Sequence, residues 1–114
     1  MQSQTDHAFN VVIEPSETTQ LIQIGVDAHT ARRRVTGWVM SEVANMLLGG
    51  QPELHIQHGQ ALWRVPVQLT SAQGLVRQVG TVDVDALNGS LLLPVNLAQQ
   101  LHNAAVRLTQ IDHA

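Results

Sequence analysis

The chain has 114 residues, a net charge of −3 and 13% charged side chains, about half the share of an ordinary globular domain. It contains no cysteine and no lysine, which excludes disulfide staples, thiolate metal sites, a cysteine nucleophile, a P-loop lysine and a Schiff-base lysine. All six fixed cations are arginine and thirteen glutamines supply much of the polarity, so the negative balance disfavours a general nucleic-acid binder.

In chain order, residues 9–13 (FNVVI) have strand-forming composition, and Glu14, Pro15 and Ser16 end the run. Leu21, Ile22 and Ile24 then fit either a short strand or one helical turn after a Ser16 cap. The strongest periodicity follows. Ala31, Val35, Trp38, Val39, Val43, Met46 and Leu47 recur at spacings of three and four, which predicts an amphipathic helix over about 28–48 with Trp38 in mid-stripe. Asp27 or Thr30 can cap its start, and Gly49 and Gly50 offer a left-handed stop. After Pro52 the period falls to two. Leu54 and Ile56 alternate with polar neighbours, and His58, Gly59 and Gln60 read as a turn. Trp63, Val65, Val67 and Leu69 mark one face of a long strand. Pro66 lacks an N–H, which predicts an edge position or a local bend. Residues 70–74 form a loop, 75–86 the next strand, Leu87, Asn88 and Gly89 a turn, and 90–93 a short return strand. Pro94 closes it. Asn96 can cap a last helix whose stripe is Leu97, Leu101, Ala104, Ala105 and Leu108.

The pattern predicts one α+β domain over 1–114: an N-terminal strand, a long helix, an antiparallel meander of three to four strands, and a C-terminal helix packed on one face. Residues 1–26 form an N-terminal arm or dimerisation segment. The opening residues Met1 to His7 carry no basic stretch followed by an apolar run, and no apolar stretch approaches the ~20 residues of a membrane span. The expectation is a cytoplasmic chain with no membrane partner.

The stretch from Leu62 through Val67 (LWRVPV), a loop, and then Val79 through Leu91 (VGTVDVDALNGSL) resembles a PepSY-type module. That family places a helix before a W-x-V-x-V strand and a V-D-A-x-T-G-x-hydrophobic hairpin. Asp85 and Gly89 match this pattern, and Asn88 stands where the family usually has threonine. The resemblance covers about 31–93. It implies a secreted or membrane-attached module that binds or inhibits a partner, whereas this chain shows no secretion signal and adds a C-terminal helix. The motif also has a structural content: Asp85 can accept backbone N–H bonds across the turn, and Gly89 supplies the positive φ that closes it.

Candidate chemistry is sparse. His55 and His58 are separated by two intervening residues across strand and turn, not in the close pairs or His-x3-His spacing of zinc sites, and His7, His29, His102 and His113 stand apart. Asp83 and Asp85 share one strand face at ~6–7 Å, a spacing compatible with paired-carboxylate or divalent-metal chemistry, but the favoured reading is a solvated face with Asp85 as a turn cap. Arg32, Arg33 and Arg34 form the single charge run. On a helix they fan ~100° apart near an N-terminus that disfavours cations, which marks them as candidate partner-binding residues. No serine sits in a Gly-x-Ser-x-Gly elbow and no glycine-rich phosphate loop is present. The leading expectation is a non-catalytic protein-interaction module without cofactor, forming a homodimer or larger homo-oligomer. The alternative is a regulatory partner-binder, antitoxin-like or an operon companion, using Arg32, Arg33 and Arg34. Last comes a metal-dependent enzyme built on Asp83 and Asp85.

Overall fold

The computed structural model describes residues 11–13 and 22–113, with side chains over 22–110. Eight elements follow one another: β1 (Val11–Ile13), α1 (Ala28–Glu42), β2 (Leu47–Gly49), β3 (Glu53–Gln57), β4 (Gln60–Thr70), β5 (Val76–Asp85), β6 (Leu91–Leu92) and α2 (Leu97–His113). The fold is α+β, with a sheet ordered β1-β3-β4-β5-β6 and β2 also pairing β4. From β3 to β6 the strands form an antiparallel meander, whereas β1 runs parallel to β3.

Strand β4 shows why the sheet has two unlike faces. Ala61, Trp63, Val65, Val67 and Leu69 are buried while the residues between them are half-exposed, the period-two pattern of a half-covered sheet. Val82 and Val84 of β5 continue the buried face, and Ala31, Val35 and Val39 of α1 and Leu101 and Ala105 of α2 close over it in one core. Trp63 is the largest side chain there, 2% exposed, and its Nε1–H donates to the Val26 carbonyl at 2.9 Å. Trp38, expected in mid-stripe, lies half-buried at the flank of α1.

Helix α1 departs from expectation at its end. Asp27 caps the start, its Oδ1 accepting the Thr30 N–H at 2.7 Å. The helix stops at Glu42 instead of 48. Ser41 Oγ donates to the carbonyls of Gly37 and Trp38, the N–H groups of Val43 and Ala44 both reach the Val39 carbonyl, and Val43 and Asn45 are weak helix formers. Leu47 is buried either way, in the helical stripe by spacing and in β2 by alternation, and three rungs to β4 decide in favour of the strand. Gly49 and Gly50 are not a left-handed stop, since neither has a positive φ. Gly49 instead ties β2 to α1: its N–H donates to Thr36 Oγ1, and its carbonyl accepts from Arg32 Nε, each at 2.9 Å.

Pro66 occupies a central strand, not an edge. Strands β3 and β2 lie end to end along one side of β4, pairing Arg64 to Glu53 and Val67 to Gly49. Between them the Pro66 carbonyl takes the Gly50 N–H at 2.7 Å. The proline nitrogen thus faces the seam between two strands, where the ladder is already interrupted.

Along the other side of β4 the register slips between Val67 and Gln68: Val67 pairs Gly80, Gln68 pairs Gln78, and Val79 is the extra residue of a β-bulge. Val79 and Gly80 therefore both lean toward the core, Val79 packing on it and Gly80 leaving room for Leu101 of α2, whose Cδ2 would lie 2.5 Å from a Cβ at that position.

Residues 22–27, expected as strand or helical turn, are irregular. Gly25 and Val26 both donate N–H bonds to the Ala86 carbonyl, at 2.8 and 2.9 Å. The described parts of the expected arm, 11–13 and 22–26, are therefore engaged within the chain, by β3 and by Ala86 and Trp63; residues 1–10 and 14–21 of that expectation lie outside the described residues. Among the described residues no helix is long and apolar enough to cross a membrane.

Candidate interaction surface

The arginine run is divided by the helix geometry. Arg32 reaches sideways to the Gly49 carbonyl, and Arg34 reaches the opposite way, its Nη1 donating to the Gly89 carbonyl at 2.9 Å. Two of the three therefore brace α1 against β2 and against the turn before β6. Arg33 points away from the sheet between them and makes no hydrogen bond or ion pair among the described residues. The cations sit near a positive helix end, yet two of them carry their charge out to backbone carbonyls, which relieves the conflict.

The residues of the expected turn are held together. The Asp85 carboxylate accepts the N–H of Leu87 at 2.8 Å and of Asn88 at 3.4 Å, Asn88 Oδ1 accepts from the Ser90 N–H, and the Gly89 N–H closes on the Asp85 carbonyl. Gly89 has φ +82°, but Asn88 does not enter the left-handed region. The turn is thus wider than a two-residue hairpin. The two-residue hairpin lies earlier, at His58 and Gly59 with φ +52° and +75°, between the paired residues Gln57 and Gln60.

Asp83 and Asp85 share the sheet face that the helices leave alone, but each is already occupied. Asp83 is held in a fork by Arg64, Nε to Oδ1 at 2.8 Å and Nη2 to Oδ2 at 3.0 Å. These bonds, partly offset by burial and helped by the charges of Asp83 and Glu53, raise the Arg64 pKa above its ordinary value, so the guanidinium stays cationic over the whole working range. Glu53 stands opposite Arg64 across the strands, and His55 Nε2 lies 2.8 Å from Glu53 Oε1. The result is a polar row across three strands, from His55 and Glu53 through Arg64 to Asp83. Sequence spacing showed Asp83 and Asp85 but not this row, because cross-strand partners depend on register. Among the described residues no three His, Asp or Glu side chains converge as a metal group would require.

Two shallow depressions add little chemistry. One of about 290 Å³ is lined by Ile22, Gln60, Asp85 and Leu87, and another of about 380 Å³ by Met46, Leu69, Ser71 and Thr109. Both are at the small end of ligand sites, and the single ionisable group in them, Asp85, already caps a turn.

The outer edge of β5 is different in kind. Of its ten residues only Asp83 and Val84 have a strand on that side, β6. Residues 76–82 have none among the described residues. Apolar side chains stand exposed at both ends of this edge: Leu75 and Val76 at 55% and 57%, and, at the end of β6 and past it, Leu92, Leu93 and Val95, the last at 86%. An edge of this length with no strand partner among the described residues, roughly 23 Å at strand rise, is a template for another chain, and exposed apolar clusters beside it mark an association surface. Composition had pointed to association, but the edge itself became visible only once β6 proved to be two residues long. In comparison with known proteins, no family model matches the chain, and neither a curated protein nor a solved structure matches it, so the resemblance to PepSY modules rests on the residues of 31–93 alone.

Proposed function

We propose that the chain is a non-catalytic protein-interaction module that associates with itself. The carrying observation is the outer edge of β5, where no strand pairs residues 76–82 among the described residues and exposed leucine and valine flank both ends. The occupied state of Asp83 and Asp85 and the bracing of α1 by Arg32 and Arg34 support the same reading, because they give the most reactive-looking groups structural work. Native mass measurement over a concentration series tests it. A species at twice the 12.4 kDa chain mass is expected in the micromolar range. A chain that stays at monomer mass throughout overturns the reading.

Arg33 favours a second reading, a regulatory module that captures an acidic partner through the outer side of α1. Under that reading Arg33→Gln abolishes capture of a genomically neighbouring protein in a pull-down while the fold is retained. Undiminished capture removes it.

A further inference from the structure

The turn after β5 sets a nucleophile beside an electrophile. Asparagine occurs at 10, 45, 88, 96 and 103, and only Asn88 precedes a glycine. The carboxamide carbon of an asparagine can close a ring with the backbone nitrogen of the next residue, and a glycine there puts no Cβ in the way. Asn88 is exposed. Its Oδ1 accepts the Ser90 N–H at 2.8 Å, a donor placed where negative charge develops when Cγ is attacked. Its amide nitrogen, the group that would leave, donates to nothing among the described residues.

The folded turn holds this reaction back. The Gly89 N–H donates to the Asp85 carbonyl at 2.8 Å, and the nitrogen must give up that proton to attack, so the turn has to open first. Two side chains keep it shut: the Asp85 carboxylate on the N–H groups of Leu87 and Asn88, and Arg34 Nη1 on the Gly89 carbonyl. The same crowding gives the product a consequence. A Cβ at Gly89 would lie 2.7 Å from Arg34 Nη1 and 3.3 Å from Val26 Cγ1. An extra methylene in the main chain beside Gly89 therefore finds no room while Arg34 stays in place.

We propose that Asn88 is a deamidation site, gated by Asp85 and Arg34, whose isoaspartyl product frees Arg34 from the turn. The Gly89 nitrogen, its proton passed to water, bonds to Asn88 Cγ; the Cγ–Nδ2 bond breaks and ammonia leaves. Water then opens the cyclic imide. Cleavage at Cγ gives aspartate, and cleavage at the main-chain carbonyl gives isoaspartate with the longer backbone. Water enters, ammonia departs, and the chain gains one mass unit and one negative charge.

The parent, Asp85→Ala, Arg34→Gln and Asn88→Gln are aged in warm, mildly alkaline buffer, with circular dichroism checking that each reacts as a folded chain. Cleavage after Arg77 and Arg107 releases one peptide carrying Asn88, with Asn96 and Asn103 as internal controls. Conversion at Asn88 is expected roughly tenfold faster than at either control, where the Cβ of Leu97 or Ala104 crowds the nitrogen. Asp85→Ala and Arg34→Gln should each speed it about fivefold, by removing the restraint of about one hydrogen bond, and Asn88→Gln should abolish it. The isoaspartyl chain, separated by its added charge, should exchange the amides of α1 as fast as Arg34→Gln does. Conversion at Asn88 no faster than at the controls overturns the site. Equal rates in the parent and in both gate variants overturn the gate. Unaltered α1 exchange after conversion overturns the release of Arg34.

Discussion

Replacing Gly25 by alanine probes how the irregular segment before α1 is held to the sheet. A Cβ at this position would run into the carbonyl of Leu87, a backbone group with nowhere to retreat. The segment must then lift away from the turn after β5. Three bonds depend on its place: the N–H groups of Gly25 and Val26 to the Ala86 carbonyl, and the Trp63 indole N–H to the Val26 carbonyl. At about 1 kcal/mol net for each bond, complete loss costs about 3 kcal/mol, a sizeable part of the 5–15 kcal/mol that holds a typical domain together. For a chain of this size that lowers the melting temperature by roughly 10 °C. Trp38 and Trp63 are the two tryptophans, so urea unfolding followed by tryptophan emission reports both stability and the freed indole. The midpoint should fall with the slope unchanged, and the native emission should shift as Trp63 loses its acceptor. A loss below about 0.5 kcal/mol with unchanged native emission would refute the reasoning.

The arginine run offers an internal comparison: Arg32→Gln and Arg34→Gln should each destabilise by about 1 kcal/mol by releasing a backbone carbonyl, whereas Arg33→Gln should stay within about 0.5 kcal/mol of the parent, all measured by urea unfolding. A double-mutant cycle of Arg64→Met and Asp83→Asn should give a coupling of about 1 kcal/mol, discounted for the partial exposure of both groups; additive single effects would show that the fork contributes nothing. Gly80→Ala should push Leu101 out of its seat and cost about 1–3 kcal/mol, read as earlier melting and faster hydrogen exchange in α2. Asp85→Ala should cost about 1 kcal/mol by uncapping the N–H groups of Leu87 and Asn88, and Asp85→Asn should recover part of it.

Much of the architecture was legible where periodicity was long. The alternation of Trp63, Val65, Val67 and Leu69 named the buried face residue by residue, and the stripe at Leu97, Leu101, Ala104, Ala105 and Leu108 located the second helix. Short elements were not legible. Leu47 satisfies a helical and a strand pattern equally, so only the rungs to β4 separate them. Pro66 announced an interruption but not its place, because a seam between two end-to-end strands leaves no trace in local sequence. The surface followed the same rule. Arg32, Arg33 and Arg34 stood out as a run, yet their different fates depend on Gly49 and Gly89, 17 and 55 residues away. The Arg64–Asp83 fork was hidden in plain alternation, because nothing short of the strand register shows which acid lies opposite which base.

The seam at Pro66 also bears on how the molecule comes apart. Helix α1 and strand β2 are clamped by Arg32 and Thr36 onto Gly49, and the pair reaches the rest of the sheet through the three rungs of β2, the Arg34 bond to the Gly89 carbonyl and the packing of α1. No ladder runs on from β2 to β3, so amides of β2 can open together with α1 without unzipping the β3–β4–β5 meander. Such a unit should exchange its protons as one cooperative block at lower free energy than global unfolding. A proline in mid-sheet thereby becomes the border between two subglobal units.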